Sequence, residues 1–399
     1  QNPLYKEIIE KSLDFVNKEW KTTEGGFYSA LDADSLNDKE HLEEGAFYVW
    51  KIDELKELIK EDFELFAQVF NINSFGYWEH DNYVLIQNES LTEIANKNNI
   101  SVETLTSKKK NWEAKLYQIR NKRAKPRLDD KCLTSWNALM LKGYVDAYAA
   151  LGDASYLASA EKNAHFITQN MWTSEGNLLH SFKNDSAKIE GFLEDYAFMA
   201  QAAITLYKTT GNLTMLEDAI AFNTIVLKEF KDDTSPFFTF TKDPTLFSKI
   251  VGVDDNVIPS ANAVMAENLW TLGQWTGEKT YSKQAEAMIQ GVLPYFSEGG
   301  GSDYSQWSQL LAMEVYPHYE VVIIGSEAKN KTVEFQKEYY PNVVFQTSKS
   351  ESNLPLLKDR FFEDETYIYV CQNKVCLRPV TTVQEALELL KPTNEILFY

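Results

Sequence analysis

Three acidic pairs, Asp129/Asp130, Glu194/Asp195 and Asp254/Asp255, each lie just ahead of an apolar, helix-patterned stretch. Carboxylates at a helix start can act as caps, worth about 0.5–2 kcal/mol each. Gathered at one end of a ring of helices, the same groups perturb one another's pKa and can serve as general acids and bases. Glycoside hydrolysis in particular uses two carboxylates about 5–9.5 Å apart. Asp130, Asp195 and Asp255 are therefore the candidate catalytic carboxylates. His180, which follows the strand-like "EGNLL", is the candidate imidazole acid/base by its location.

A second group of residues suits a polar ligand with apolar faces. "EGGFYSALDADS" (24–35) sets Phe27 and Tyr28 ahead of Asp32 and Asp34, and Glu44, Tyr48 and Trp50 follow. Amphipathic rings beside carboxylates match sugar-like ligands. Trp136, Asn137 and Asn262 complete the candidate binding set. A plain polar loop is the competing reading of Asp32 and Asp34. A calcium loop is excluded, because position 36 is Leu and no turn glycine follows. The histidines (His41, His80, His165, His180, His318) show no HExxH spacing and no Cys/His cluster, so no dedicated metal site and no cofactor are expected. Cys371 and Cys376 are expected within one small α/β unit, as structural thiols or bridged to each other, without metal. There is no Gly-rich phosphate loop and no GxSxG.

These residues are positioned by a repeat. Gly152/Tyr156/Ala160, Gly211/Met215/Ala219 and Gly277/Tyr281/Ala285 recur at intervals of 59 and 66 residues, each Gly between two helical patterns. The stretch 134–151 is apolar on nearly every side, whereas 279–296 carries one apolar stripe. Alternating buried and half-buried helices predict two concentric layers, an α/α toroid; an open solenoid of hairpins gives a similar pattern. A second register aligns "DDKCLTSWNALM" with "DDNVIPSANAVM", and "EGGFYS", "EGNLLHS" and "SPFFTF" read as short hairpin strands. The first unit carries a large insertion, at about 31–127, with a strand at 45–50 and helices near 52–69 and 101–123. A helix is also expected over 4–19. From 318 the pattern becomes α/β, with strands at 319–326, 342–348 and 366–372 and helices near 329–339 and 383–391. The expected division is a toroid over 1–317 and an α/β domain over 318–399.

Composition bounds the function. The 399 residues carry a net charge of −20, which argues against nucleic acid as a partner. No run approaches the roughly 20 apolar residues of a membrane span. A soluble, cytoplasmic protein is expected, three cysteines making no disulfide framework. The nine Lys/Arg of 108–127 form either a solvated face or a docking surface.

"EGGFYSALDADS", "EEGAFYVW", "LDDKCLTSWNALM", "GFLEDYAF" and "YVCQNKVC" together resemble the spermatogenesis-associated protein 20-like family, the thioredoxin-domain-containing proteins. The resemblance implies a six-hairpin (α/α)6 toroid, similar to those of N-acylglucosamine 2-epimerase and the six-hairpin glycosidases, preceded by a thioredoxin-like domain. Carbohydrate binding or processing in an acidic, aromatic-lined cavity is the function it implies. A non-catalytic interaction protein, or an accessory to a thioredoxin-like domain that docks on it, is the alternative. The epimerases' paired histidines have no match here. The chain starts at an outer helix, so the toroid is expected to be incomplete on its N-terminal side, with apolar surface on 134–151 or its neighbours that favours self-association.

Overall fold

A computed structural model of the chain describes residues 2–243, 249–298 and 301–390. In chain order, α1 (Pro3–Glu19) precedes an inserted segment with α2 (Ile52–Ile59), α3 (Phe63–Phe70), α4 (Leu91–Lys97) and α5 (Val102–Arg120). Three helical hairpins follow: α6 (Thr134–Leu151) with α7 (Ala154–Asn170), α8 (Leu193–Thr210) with α9 (Leu213–Glu229), and α10 (Ala261–Thr276) with α11 (Lys279–Glu298). The rest comprises α12 (Ser305–Val315), α13 (Ala328–Gln336) and α14 (Val383–Leu389). Residue 391, the end of one expected helix, lies outside the described residues. The chain divides into two compact units, residues 1–29 with 131–399, and residues 30–130.

In the first unit the fold is mainly α. Helices α6, α8 and α10 pack side by side, and each is backed by the outer helix that follows it. Helix α8 buries almost every residue from Leu193 to Tyr207, while α9 buries one stripe, Leu216, Ala219, Phe222, Asn223 and Val226. This is the two-layer arc of an α/α toroid. The repeated glycines explain the hairpins: Gly152, Gly211 and Gly277 hold φ of 76°, 71° and 73° at the ends of α6, α8 and α10. Only a residue free of Cβ adopts that left-handed cap cheaply. Asp153 and Asn212 then cap the outer helices.

The α/β part from Tyr319 belongs to the same compact unit. Its sheet runs in the order Val343–Ser348, Tyr319–Ile324, Tyr367–Gln372, Val375–Cys376, with the first pair parallel and the others antiparallel. It packs on the C-terminal ends of the inner helices: Thr347 Oγ1 donates to the Lys208 carbonyl at 2.9 Å, and Gly211 meets Thr347. This cover is one reason 134–151 itself exposes little apolar surface, whereas on the neighbouring α1 Leu4, Tyr5 and Ile8 are exposed. Among the described residues of α6, Trp136 is the exposed large apolar side chain. Cys371 and Cys376, opposite each other across two strands, form a disulfide. Among the described residues, no helix is long and apolar enough to cross a membrane.

The second unit has its own core, including Trp50, Leu55, Phe66, Leu105, Trp112 and Leu116. Two local expectations fail here. "GAFYVW" is not a strand over 45–50, since Gly45 (φ 71°) opens a turn and only Trp50–Lys51 pairs, with Asn82–Tyr83. The expected helix over 52–69 breaks at Lys60, which holds φ 57°. The basic run is largely consumed inside this unit: Lys108 pairs with Asp62, Arg123 with Glu54, and Arg127 with Asp32.

Candidate functional site

His180 comes from a three-stranded sheet of Cys132–Leu133, Leu179–Lys183 and Ser186–Glu190. Leu133 pairs with Ser181 and Leu179 with Glu190. The turn residues Asn184 and Asp185 both hold positive φ, 52° and 54°, as a two-residue hairpin turn requires. Ile189, across the ladder from His180, holds φ 65°, a conformation costly for a β-branched residue.

Asp195 lies in the first turn of α8 and has no exposed surface. Its Oδ1 accepts the Ser135 backbone N–H at 2.9 Å, and its Oδ2 accepts that of Phe192 at 2.8 Å. One carboxylate thus serves the otherwise unpaired N–H groups of two helix starts, α6 and α8. Its third partner is His180, whose Nδ1 lies 2.9 Å from Oδ2 and 3.2 Å from Oδ1. The imidazole Nε2 makes no hydrogen bond among the described residues. Beside the pair sits Glu194, whose Oε1 accepts from Ser135 Oγ at 3.0 Å. The ring of His180 packs on Phe192, and Phe192 stacks on Phe240 with centroids 4.7 Å apart in each case. Phe240 keeps 38% of its surface exposed, leaving an aromatic face beside the ionisable groups.

The three ionisable groups perturb one another. The hydrogen bond to Asp195 holds His180 above the ordinary histidine pKa, against the cost of burial. Burial, then the neighbouring Asp195 charge, pushes Glu194 above the ordinary glutamate value. Burial also raises Asp195, opposed by its three donors. Donor atoms of His180, Glu194 and Asp195 lie within 4.8 Å of one another, near enough to ligate one cation. Asp195, however, is already committed to three N–H donors and closed to solvent, which suits an orienting carboxylate better than a metal ligand.

The other candidate residues divide by role. Asp255 accepts the N–H of Ser260 at 2.8 Å and of Gln306 at 2.9 Å, so both its oxygens cap the starts of α10 and α12. Asn137 and Asn262 are buried backbone clamps. Asn137 accepts from Phe27 N–H at 2.7 Å and donates to its carbonyl at 3.0 Å; Asn262 does the same to Phe238 at 2.8 and 3.0 Å. This explains why "EGGFYS" and "SPFFTF" form single bridges rather than strands, because a side chain takes the place of the neighbouring strand. Phe27 is core, stacked on Tyr144, and Tyr28 packs against the same core. Trp136 is 42% exposed in the first turn of α6.

Asp32, Asp34, Glu44, Tyr48, Trp50 and Asp130 belong to the second unit. There Asp32 is bound by Arg127 at 2.8 Å, which holds its carboxyl below the usual range. Asp34 and Glu44 face each other in a short ribbon. Arg120 lies over the ring of Tyr48, and Arg123 over that of Trp50, at 5.4 and 4.1 Å. Those ring faces are occupied by protein cations rather than presented to a ligand.

Sequence reasoning left Ser135 out of the site, named Glu194 only within its acid pair, and left out Phe192 and Phe240. A signal for the first two existed in the glycine spacing. Counted at 59 and 66 residues, Ser135, Glu194 and Ser260 are equivalent, as are Asn137, Tyr196 and Asn262. Tyr196 indeed does the clamp's work in the middle unit, its Oη accepting the Leu178 N–H at 2.9 Å. The acid pairs are therefore not equivalent: Glu194/Asp195 lies inside a helix, and the other two lie ahead of theirs.

No family model matches the chain. Among solved structures, the GH76 alpha-mannanase BT2949 of Bacteroides thetaiotaomicron aligns at 12% identity over 88% of this chain and 90% of that one, with a TM-score of 0.40. The cellobiose 2-epimerase of Spirochaeta thermophila aligns at 18% identity over 41% of this chain and 43% of that one, with a TM-score of 0.35. Among curated proteins, the human spermatogenesis-associated protein 20 is 28% identical over 435 aligned residues, 97% of this chain and 55% of the relative. The chain spans about half the length of that relative, and over nearly all of its own length it is similar to spermatogenesis-associated protein 20.

Proposed function

We propose that the first unit carries out proton transfer on a small polyhydroxylated carbonyl compound, a reducing sugar in its open form. The observation that carries this reading is the His180–Asp195 hydrogen bond, which leaves the imidazole Nε2 without a hydrogen-bond partner among the described residues, in a cluster with Glu194 and next to the Phe192–Phe240 stack. Asp195 fixes the imidazole and favours its charged form. Glu194, made more basic by burial, takes the proton from the carbon next to the carbonyl. The electron pair moves to the carbonyl oxygen, which receives the Nε2 proton of His180. Return of the Glu194 proton to the former carbonyl carbon, with His180 Nε2 taking the proton of the neighbouring hydroxyl, gives an isomer. Phe240 offers a surface for the apolar face of the sugar.

Two-carboxylate glycoside hydrolysis has less support, because Asp195 is sealed and hydrogen-bonded on both oxygens. The test is ligand-observed NMR with a panel of reducing mono- and disaccharides. Binding that weakens in Phe240→Ala and in His180→Ala supports the reading. A panel that shows no binding to the wild-type chain overturns it in favour of an interaction role.

A further inference from the structure

The glycine spacing that relates Ser135, Glu194 and Ser260 also relates Lys142, Gln201 and Glu267, one heptad further along α6, α8 and α10. All three of these line one cavity of about 970 Å³ within the first unit, together with Lys208, a further heptad along α8. Residues seven apart share a helix face, so α8 turns one polar stripe, Glu194, Gln201 and Lys208, to this side. At about 1.5 Å per residue, Lys208 lies about 21 Å along the helix from Glu194. The Lys208 end of the cavity thus lies far along α8 from the chemistry at His180.

Its charges are incompletely matched. Lys142 is paired with Asp146 at 2.7 Å. Glu267 receives the amides of Gln201 and Gln306 on the same oxygen, Oε2, at 2.8 and 2.7 Å, and has no cation in ion-pair range among the described residues. Lys208 Nζ makes no hydrogen bond or ion pair among the described residues, in a chain with 59 acidic side chains. Lys208 lines the cavity with no direct ion-pair partner among the described residues, the Asp146 and Glu267 charges acting on it only from a distance, so it can take an anion. The Glu267 carboxylate, held by amides about one heptad away, accepts hydroxyl donors.

We propose that this cavity binds an elongated sugar-like molecule with a phosphate or carboxylate at one end, the anion on Lys208 and the hydroxyls toward Glu267. The volume suits a ligand of that size. Burial holds Lys208 below the ordinary lysine pKa, with the Asp146 and Glu267 charges opposing it, and a bound anion would favour the charged form further.

The experiment is calorimetric titration of the 399-residue chain with glucose 6-phosphate, glucuronate, glucose and inorganic phosphate, each also followed by thermal shift. The phosphorylated or carboxylated sugar is expected to bind at least tenfold more tightly than glucose. Lys208→Met should remove that preference and Lys208→Arg should keep it. Glu267→Gln should weaken the sugar acids while leaving inorganic phosphate unchanged. Preference for the sugar phosphate over glucuronate identifies the anion as phosphate, and the reverse identifies it as carboxylate. Equal affinity for glucose and the charged sugars, no binding by the wild type, or an unchanged preference in a folded Lys208→Met overturns the proposal.

Discussion

Asn137 and Asn262, 125 residues apart in sequence, make the same pair of hydrogen bonds to the backbone of Phe27 and Phe238. Each carboxamide closes a ring on one residue of an incoming segment, and so sets where that segment enters the toroid's end. Removing the carboxamide orphans a buried N–H and a buried C=O, each costing about 1–3 kcal/mol. Asn262→Ala should therefore lower stability by about 2–5 kcal/mol, summed over the two groups. Tyr196→Phe, with one orphan at Leu178, should cost about half as much. Denaturant unfolding of the three chains checks the order.

Glu194 should be a residue that function retains against stability. Its pKa is higher folded than unfolded, so the folded state binds the proton more tightly. The corresponding stabilisation is complete below the unfolded value of about 4.3 and is lost as pH rises through the folded value. At neutral pH the charged form penalises the fold. Glu194→Gln, which can still accept from Ser135, should raise Tm at pH 7 and leave it nearly unchanged at pH 4.

His180 has the same sign of shift from a different cause. The bond to Asp195 raises it, so its contribution is complete below about pH 6.5 and fades as pH climbs through the folded pKa. In Asp195→Asn the imidazole loses its anionic partner. Its NMR titration should move down toward the ordinary histidine value, and stability should fall by about 1–3 kcal/mol because the amide matches the two backbone donors poorly.

Ile189 offers a test of strain beside the site. Its φ of 65° lies where a β-branched side chain is disfavoured. Ile189→Gly should be neutral or stabilising by up to about 1 kcal/mol, unlike ordinary strand glycines. Thermal unfolding decides, and a loss of 2 °C or more in Tm contradicts it.

The helices were legible where one physical signal dominated. An all-round apolar run closed by Gly152 gives α6 its bounds, 134–151, and helical patterning places α1, α5 and α11 within a few residues. The acid pairs were misregistered because they were aligned by residue type. The 59 and 66 spacing sets the true equivalence, and only the hydrogen bonds show that Asp255 caps helices while Asp195 holds His180. "GAFYVW" read as a strand because apolar content outweighed the turn at Gly45. Tyr48 and Trp50 looked like ligand platforms; that arginines 70 or more residues away cover them is a long-range fact that local sequence does not carry.

In the proposed function, Glu194 and His180 move a proton on a reducing sugar. Incubation of the chain with candidate aldoses and ketoses in D2O, followed by proton NMR at the carbon next to the carbonyl, reads that step alone. Loss of that signal by exchange is expected with the wild type, at a rate about 10²–10⁴-fold lower in Glu194→Gln and in His180→Asn. Exchange that persists unchanged in both variants, or a wild-type chain that binds sugar and exchanges nothing, would contradict it.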